Sequence, residues 1–168
     1  MTPVVSIFLG VIRLFVAILF AVIALYAGLY TFNRLTGGFD APGEIRKGNP
    51  AVGLLICAVF IGISLPVYAG VEALMAGLSA IASEGILTTG GLFHLALVLL
   101  LLLASIVLAI GSVYFAMYLI ARVSPTLDVL REIKYGNVAV AVGVAGVILA
   151  VCIVVNLGVT DFFQAVLR

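Results

Sequence analysis

The chain has 168 residues, 65% of them hydrophobic and 9% charged, with a mean hydropathy of +1.43. A soluble domain carries about 25% charged residues, so this chain lacks the polar surface water requires and must be solvated by lipid. Its formal net charge of +1 gives no basic footprint for nucleic acid. Its two cysteines, Cys57 and Cys152, lie inside apolar runs, where they read as packing residues rather than a disulfide framework.

A spanning helix needs ~20 apolar residues, and four runs supply them: 3–33, 50–82, 90–121 and 137–157. The first has no basic segment before it and is about twice the length of a signal peptide's apolar stretch, so it reads as a retained span. It contains Arg13 and ends near Tyr26 and Tyr30. The glycine-rich connection 34–49 follows, and Asn49-Pro50 reads as an Asn cap with proline at the first helical position. The second span carries small residues at four-residue steps in two runs, Ala58 and Gly62, then Ala69, Ala73 and Gly77, faces that let helices approach closely in lipid. Glu72 lies among them.

The third span is almost all leucine over 97–103 and is expected to be the most lipid-exposed. Lone His94 near its start reads as a surface or capping residue, because one histidine with Glu84 makes no metal site. After it, Ser124-Pro125 should open a short helix over 126–135, lying on the membrane surface through Leu127, Leu130 and Ile133. Asn137 should cap the fourth span, whose Ala139, Gly143, Gly146 and Ala150 form a second small-residue face. The second and fourth spans are therefore expected at the centre and at an oligomer contact. Residues 160–168 should lie on the opposite surface through Phe162, Phe163, Val166 and Leu167.

Charge sets the orientation. Arg34, Arg46, Lys47, Arg122, Arg131 and Lys134, six of the eight basic residues, fall in the two connections between spans one and two and between spans three and four. Basic residues in short loops stay in the cytoplasm, which puts both connections inside and both termini outside.

An offset of 88 residues aligns the two halves. Asp40, Glu44, Ile45, Gly48, Asn49, Ala51 and Val52 fall on Asp128, Glu132, Ile133, Gly136, Asn137, Ala139 and Val140, and Tyr26, Tyr30 and Arg34 fall on Tyr114, Tyr118 and Arg122. Apolar matches mean little in lipid; matched Asp, Glu, Gly, Asn, Tyr and Arg do not arise from a restricted alphabet. The expected fold is an all-α integral membrane protein of four transmembrane helices, arranged as two parallel two-helix repeats. The repeats cover 1–88 and 89–168 of one membrane domain. Each repeat crosses twice, so the copies are parallel, not inverted.

The duplicated E-I-x-x-G-N-x-A-V unit, at 44–52 and 132–140, resembles the YjfL-like family of uncharacterised bacterial inner-membrane proteins. The resemblance runs over nearly the whole chain. It implies two tandem two-helix units and a bacterial inner-membrane location, with no established activity. Pro50 and the glycine-rich first connection depart from the second copy, so the two connections are not expected to be equivalent.

Few polar groups remain for chemistry. Arg13 and Glu72 fall at one level near the outer boundary, where they could pair, snorkel to headgroups, line a polar passage or fix a subunit contact. The tyrosine pairs read as an aromatic belt or a hydroxyl-lined inner vestibule. Asp40, Glu44, Asp128 and Glu132 lie beside Arg or Lys, as in a solvated, compensated loop, rather than as acid–base pairs. No catalytic, metal-binding or cofactor-binding set is expected. Ser64, Ser105, Ser112 and Asn156 are too few for a hydrated path. A non-enzymatic scaffold or partner subunit in a membrane complex is therefore preferred over an oligomeric channel or transporter for ions or small molecules. The expected partners are the lipid bilayer, a homo-oligomer or membrane complex, and a cytoplasmic protein, with no nucleic acid.

The orientation is testable. In a Cys57→Ala, Cys152→Ala background, a cysteine at Arg46 should react with a membrane-impermeant maleimide only after cells are opened; labelling of intact cells would reverse the topology.

Overall fold

The computed structural model describes residues 3–36, 39–84, 88–123 and 128–167. Among these residues the chain is helical with short connections: α1 (Pro3–Leu35), α2 (Ala41–Arg46), α3 (Pro50–Glu84), α4 (Thr89–Val123), α5 (Val129–Lys134) and α6 (Val138–Val166). In lipid the backbone must satisfy its own polar groups, which is why unbroken apolar runs become unbroken helices. Helices α1, α3, α4 and α6 are each long and apolar enough to cross a membrane. The 35 residues of α3 would run about 52 Å at 1.5 Å per residue. That exceeds a hydrocarbon layer of ~30 Å, so α3 must tilt or project.

The fourth span is longer than its apolar run. Residues 160–166 continue α6 and do not form a separate surface helix. Phe163 explains the continuation: it is buried with Val159 against Ala69, Ala73 and Leu101, so this turn is held on the bundle. Phe162, on the other side, is exposed. Of the surface helix expected over 126–135, the described residues form α5, between the caps Asp128 and Tyr135. Ser124, Pro125, Thr126 and Leu127 lie outside the described residues.

Helix α3 is the centre. Its span is 56% buried, against 28% for α4, 22% for α6 and 12% for α1, and each of the other long helices packs against it. Two expectations are corrected here. The fourth span is peripheral, because Ala139, Gly143, Gly146 and Ala150 point away from the bundle and are exposed. The most lipid-exposed span is α1, not the leucine-rich α4, which buries Val98, Leu101, Leu102, Ser105 and Ala109 on one side.

The small residues of α3 do meet neighbours. A Cβ built on Gly62 would lie 2.7 Å from Cys152 Sγ, and one on Gly77 would collide with Val98. Gly70 faces Ser105 Oγ in the same way. Glycine thus lets α6 and α4 close on α3, which is how helices associate in lipid without a hydrophobic driving force. Gly28 does the same for α1, against Ile63. Pro66, fully buried in mid-α3, has no N–H to donate to the carbonyl four residues back, which is that of Gly62.

Overpacking a tight contact costs ~1–3 kcal/mol, whereas alanine at an open helical glycine is neutral or gains up to ~1 kcal/mol. Gly70→Ala should therefore lower the thermal unfolding midpoint in detergent, and Gly111→Ala, with nothing within 4 Å, should hold or raise it.

Candidate functional site

The polar groups concentrate where the two connections meet. In the first, Asp40 caps α2, its Oδ1 accepting from Gly43 N–H at 3.0 Å. The helix closes on Gly48, at φ +79°, with Gly48 N–H donating to Ile45 O and Asn49 N–H to Glu44 O. Only glycine takes this left-handed turn without strain. Asn49 Oδ1 then accepts from Ala51 N–H at 3.0 Å and opens α3.

The second connection has the same parts 88 residues on. Asp128 Oδ1 accepts from Arg131 N–H at 3.2 Å, Gly136 stands at φ +87°, Asn137 N–H donates to Glu132 O, and Asn137 Oδ1 accepts from Val140 N–H at 3.2 Å. The expected difference between a glycine-rich first connection and a helical second one is thus corrected. Asp40 as cap supplies a start signal that the glycines obscured.

They differ in what the asparagine amides do. Asn137 Nδ2 donates back to Glu132 Oε2 at 2.9 Å, within its own connection. Asn49 Nδ2 reaches across to the other one, donating to Ile133 O at 3.1 Å and Lys134 O at 3.0 Å. Those carbonyls lie at the end of α5, where Ile133 O also accepts from Gly136 N–H, so Asn49 caps two helices at once and ties the connections together. Buried Ile133 seats α5 on the core below.

Glu44 is buried, and Lys47 Nζ donates to its Oε1 at 2.8 Å. That bond holds the Glu44 carboxyl below the usual carboxylate range, against the upward push of burial, with Lys134 and Asn49 adding to the lowering. The same bond holds the Lys47 ammonium above its ordinary range.

Two grooves carry polar groups on the bundle, one at each side. On the connection side, a cavity of about 240 Å³ lies between α1, α3 and α4, lined by Thr36, Tyr114 and Tyr118 among apolar groups. Arg122 Nε donates to Tyr118 Oη at 3.0 Å and its guanidinium lies over that ring. Of the two tyrosine pairs, only the second lines this cavity; Tyr26 and Tyr30 face outward, at 75% and 59% exposure. Toward the opposite side, Glu72 lines a groove of about 200 Å³ with Thr160 and Gln164 between α3 and α6. Tyr68 Oη donates to Glu72 Oε1 at 2.7 Å, so this carboxylate has a partner on its own helix. Arg13 lies in α1, but its side chain is outside the described residues, as are that of Glu84 and Arg168.

The hydroxyls within the spans bond to their own helices: Ser64 to Ile61 O, Ser105 to Leu102 O and Ser112 to Ala109 O. Such bonds leave little polarity to hydrate a path. Ser112 Oγ also meets Cys152 Sγ at 3.4 Å in the core, a pairing of two spans that sequence spacing did not suggest. Asn33 Oδ1 and Asn156 Oδ1 are buried and unpartnered. His94 Nδ1 lies 3.0 Å from Gly90 O. Among the described residues, no three His, Cys, Asp or Glu side chains cluster as metal ligands would.

Four apolar helices of membrane-crossing length, joined by two capped connections that share one hydrogen-bonded surface, define a multi-pass membrane protein. The chain belongs to the family described as Domain of Unknown Function (DUF350), which it matches over residues 6–110. That stretch takes in α1, α2, α3 and much of α4, and stops short of the second motif at 132–140, so it is narrower than the near-complete likeness expected. No curated protein and no solved structure matches the chain.

Losing a cap costs ~1 kcal/mol and losing two bonds to carbonyl groups ~1–2 kcal/mol more. Asn49→Ala should therefore destabilise the protein more than Asn137→Ala, and it alone should speed amide exchange across residues 132–136. Stability from the Glu44–Lys47 pair should be complete above the usual carboxylate range and fade as pH falls through the lowered Glu44 value; it should fade again as pH rises through the raised Lys47 value. Glu44→Gln should remove the acid-side loss from a plot of unfolding midpoint against pH.

Proposed function

We propose that the protein is a non-enzymatic scaffold or partner subunit of a membrane complex, presenting its two connections as a single docking surface. The observation that carries this reading is the Asn49 amide, which binds the second connection through Ile133 O and Lys134 O. A pair of loops fixed to each other presents Arg46, Arg131 and Lys134, all exposed, in one arrangement, and so loses less freedom on binding than loose loops would.

Several further readings belong with it. The basic residues favour connections in the cytoplasm and termini outside. The motifs at 44–52 and 132–140 favour two parallel repeats and the YjfL-like group of bacterial inner-membrane proteins. The outward small-residue face of α6 favours contact with a second copy. The level of Arg13 and Glu72 remains the candidate outer polar site.

An oligomeric channel or transporter is the second reading, and the groove holding Glu72, Thr160 and Gln164 is what favours it. On α3, between Ile63 of the connection-side cavity and Ala69 of that groove, Pro66 and Val67 are buried. A path through one subunit would have to open this packing.

Purified protein in liposomes at a set membrane potential should pass no more ions than empty vesicles, and a photo-crosslinker at Arg46 or Arg131 should capture a discrete protein product in cells. Ion flux lost in Glu72→Gln would replace the scaffold reading with the channel.

A further inference from the structure

The connection-side cavity does not end at the tyrosines. Thr36 and Leu130, which line it, also line a second cleft of about 450 Å³ whose other walls include Asp128, Arg131, Lys134 and Tyr135. The two form one groove, apolar within the bundle and basic at its mouth. Its deep part is walled by Phe32, Ile63, Ile110, Val113 and Met117. From Ile110 to Arg122 is twelve residues of α4, about 18 Å of helix, so the groove enters the hydrocarbon layer from the boundary. This deep part has too few polar partners to hold water, while Tyr114, Tyr118 and Ala121 on the α4 wall are exposed on the outside of the bundle.

The charges at the mouth favour an anion. Arg131 and Lys134 come from α5, and Asp128, the one acidic wall residue among the described residues, is engaged in capping that helix through Arg131 N–H. Arg34 ends α1 and Arg122 ends α4, both exposed on the same side. Glu44 acts on Lys134 from the neighbouring connection but is itself paired with Lys47. Tyr118 places a hydroxyl between the apolar and basic parts, held by Arg122.

We infer that this groove binds one anionic phospholipid from the leaflet on the connection side, with an acyl chain between α1 and α4 and its headgroup phosphate at Arg131 and Lys134. Basic pockets between spanning helices recognise headgroups in this way. The site depends on charge and on shape together: a neutral lipid lacks the first and a free anion the second.

Native mass spectrometry of the full chain, in detergent with equal phosphatidylglycerol and phosphatidylcholine, tests both requirements. Wild type should retain phosphatidylglycerol with a roughly thirtyfold preference, the factor that two basic side chains near a headgroup supply. Arg131→Gln with Lys134→Gln should reduce that preference to nearly none. Ala121→Phe, which fills the groove wall from an exposed position, should release both lipids while leaving helicity and elution volume unchanged. Arg46→Gln, a basic residue off the groove, should behave as wild type. The inference is overturned by equal retention of the two lipids, by a preference that survives the double variant or Ala121→Phe, by its loss in Arg46→Gln, or by release of the lipid with excess inorganic phosphate. If the double variant does not fold, Ala121→Phe decides alone.

Discussion

The structure depends on how closely other helices can approach α3. In lipid, apolar side chains gain little by leaving one hydrocarbon neighbour for another, so contact distance and shape decide which helices stay together. Gly62, Gly70 and Gly77 lie about two turns apart along α3 and receive Cys152, Ser105 and Val98. Those three contacts place α6 and α4 against one helix, and the serine hydroxyls that come with them are satisfied locally. Everything on the connection side follows from that placement, because it sets where α4 and α6 deliver the second connection.

The connections then solve a different problem. Each must reverse the chain at a boundary where backbone groups lose their helical partners, and each does so with an aspartate cap, six helical residues, a left-handed glycine and an asparagine cap. The two connections use like parts, yet only Asn49 spends its amide on the other connection. Like parts can therefore carry unlike roles: the same residue type closes its own loop at Asn137 and joins two loops at Asn49.

Much of this architecture was legible in the sequence because its signals are local. Apolar run length placed four spans, and Asn49-Pro50 and Asn137 marked where two of them begin. What escaped was set by neighbours. The face of Ala139, Gly143, Gly146 and Ala150 looks like that of α3, and spacing alone does not say which small-residue face a helix will meet. The leucines at 97–103 read as lipid-facing, but α4 needs one side of them to pack on α3. Phe163 extends α6 because of Ala69 and Ala73, which are some 90 residues away in sequence. At the site, Asp40, Glu44, Gly48 and Asn49 were visible as a motif, and so were their counterparts. The reach of one amide across the surface, and the cavity that takes Tyr118 but not Tyr30, are properties of the assembled bundle.

The slight burial of α1 bears on how the protein is made. This helix emerges from the ribosome before α3, the element it packs against, and Gly28 has no Ile63 to meet until the second span has entered the bilayer. Until then α1 must reside in lipid alone. A helix that keeps Ile7, Leu14, Phe15, Ile18, Leu19 and Ile23 exposed even in the finished bundle is suited to that interval, since little of this surface is waiting for a partner. Helices α4 and α6, which bring Val98, Ser105 and Cys152 to the glycines of α3, arrive when that helix is already in place.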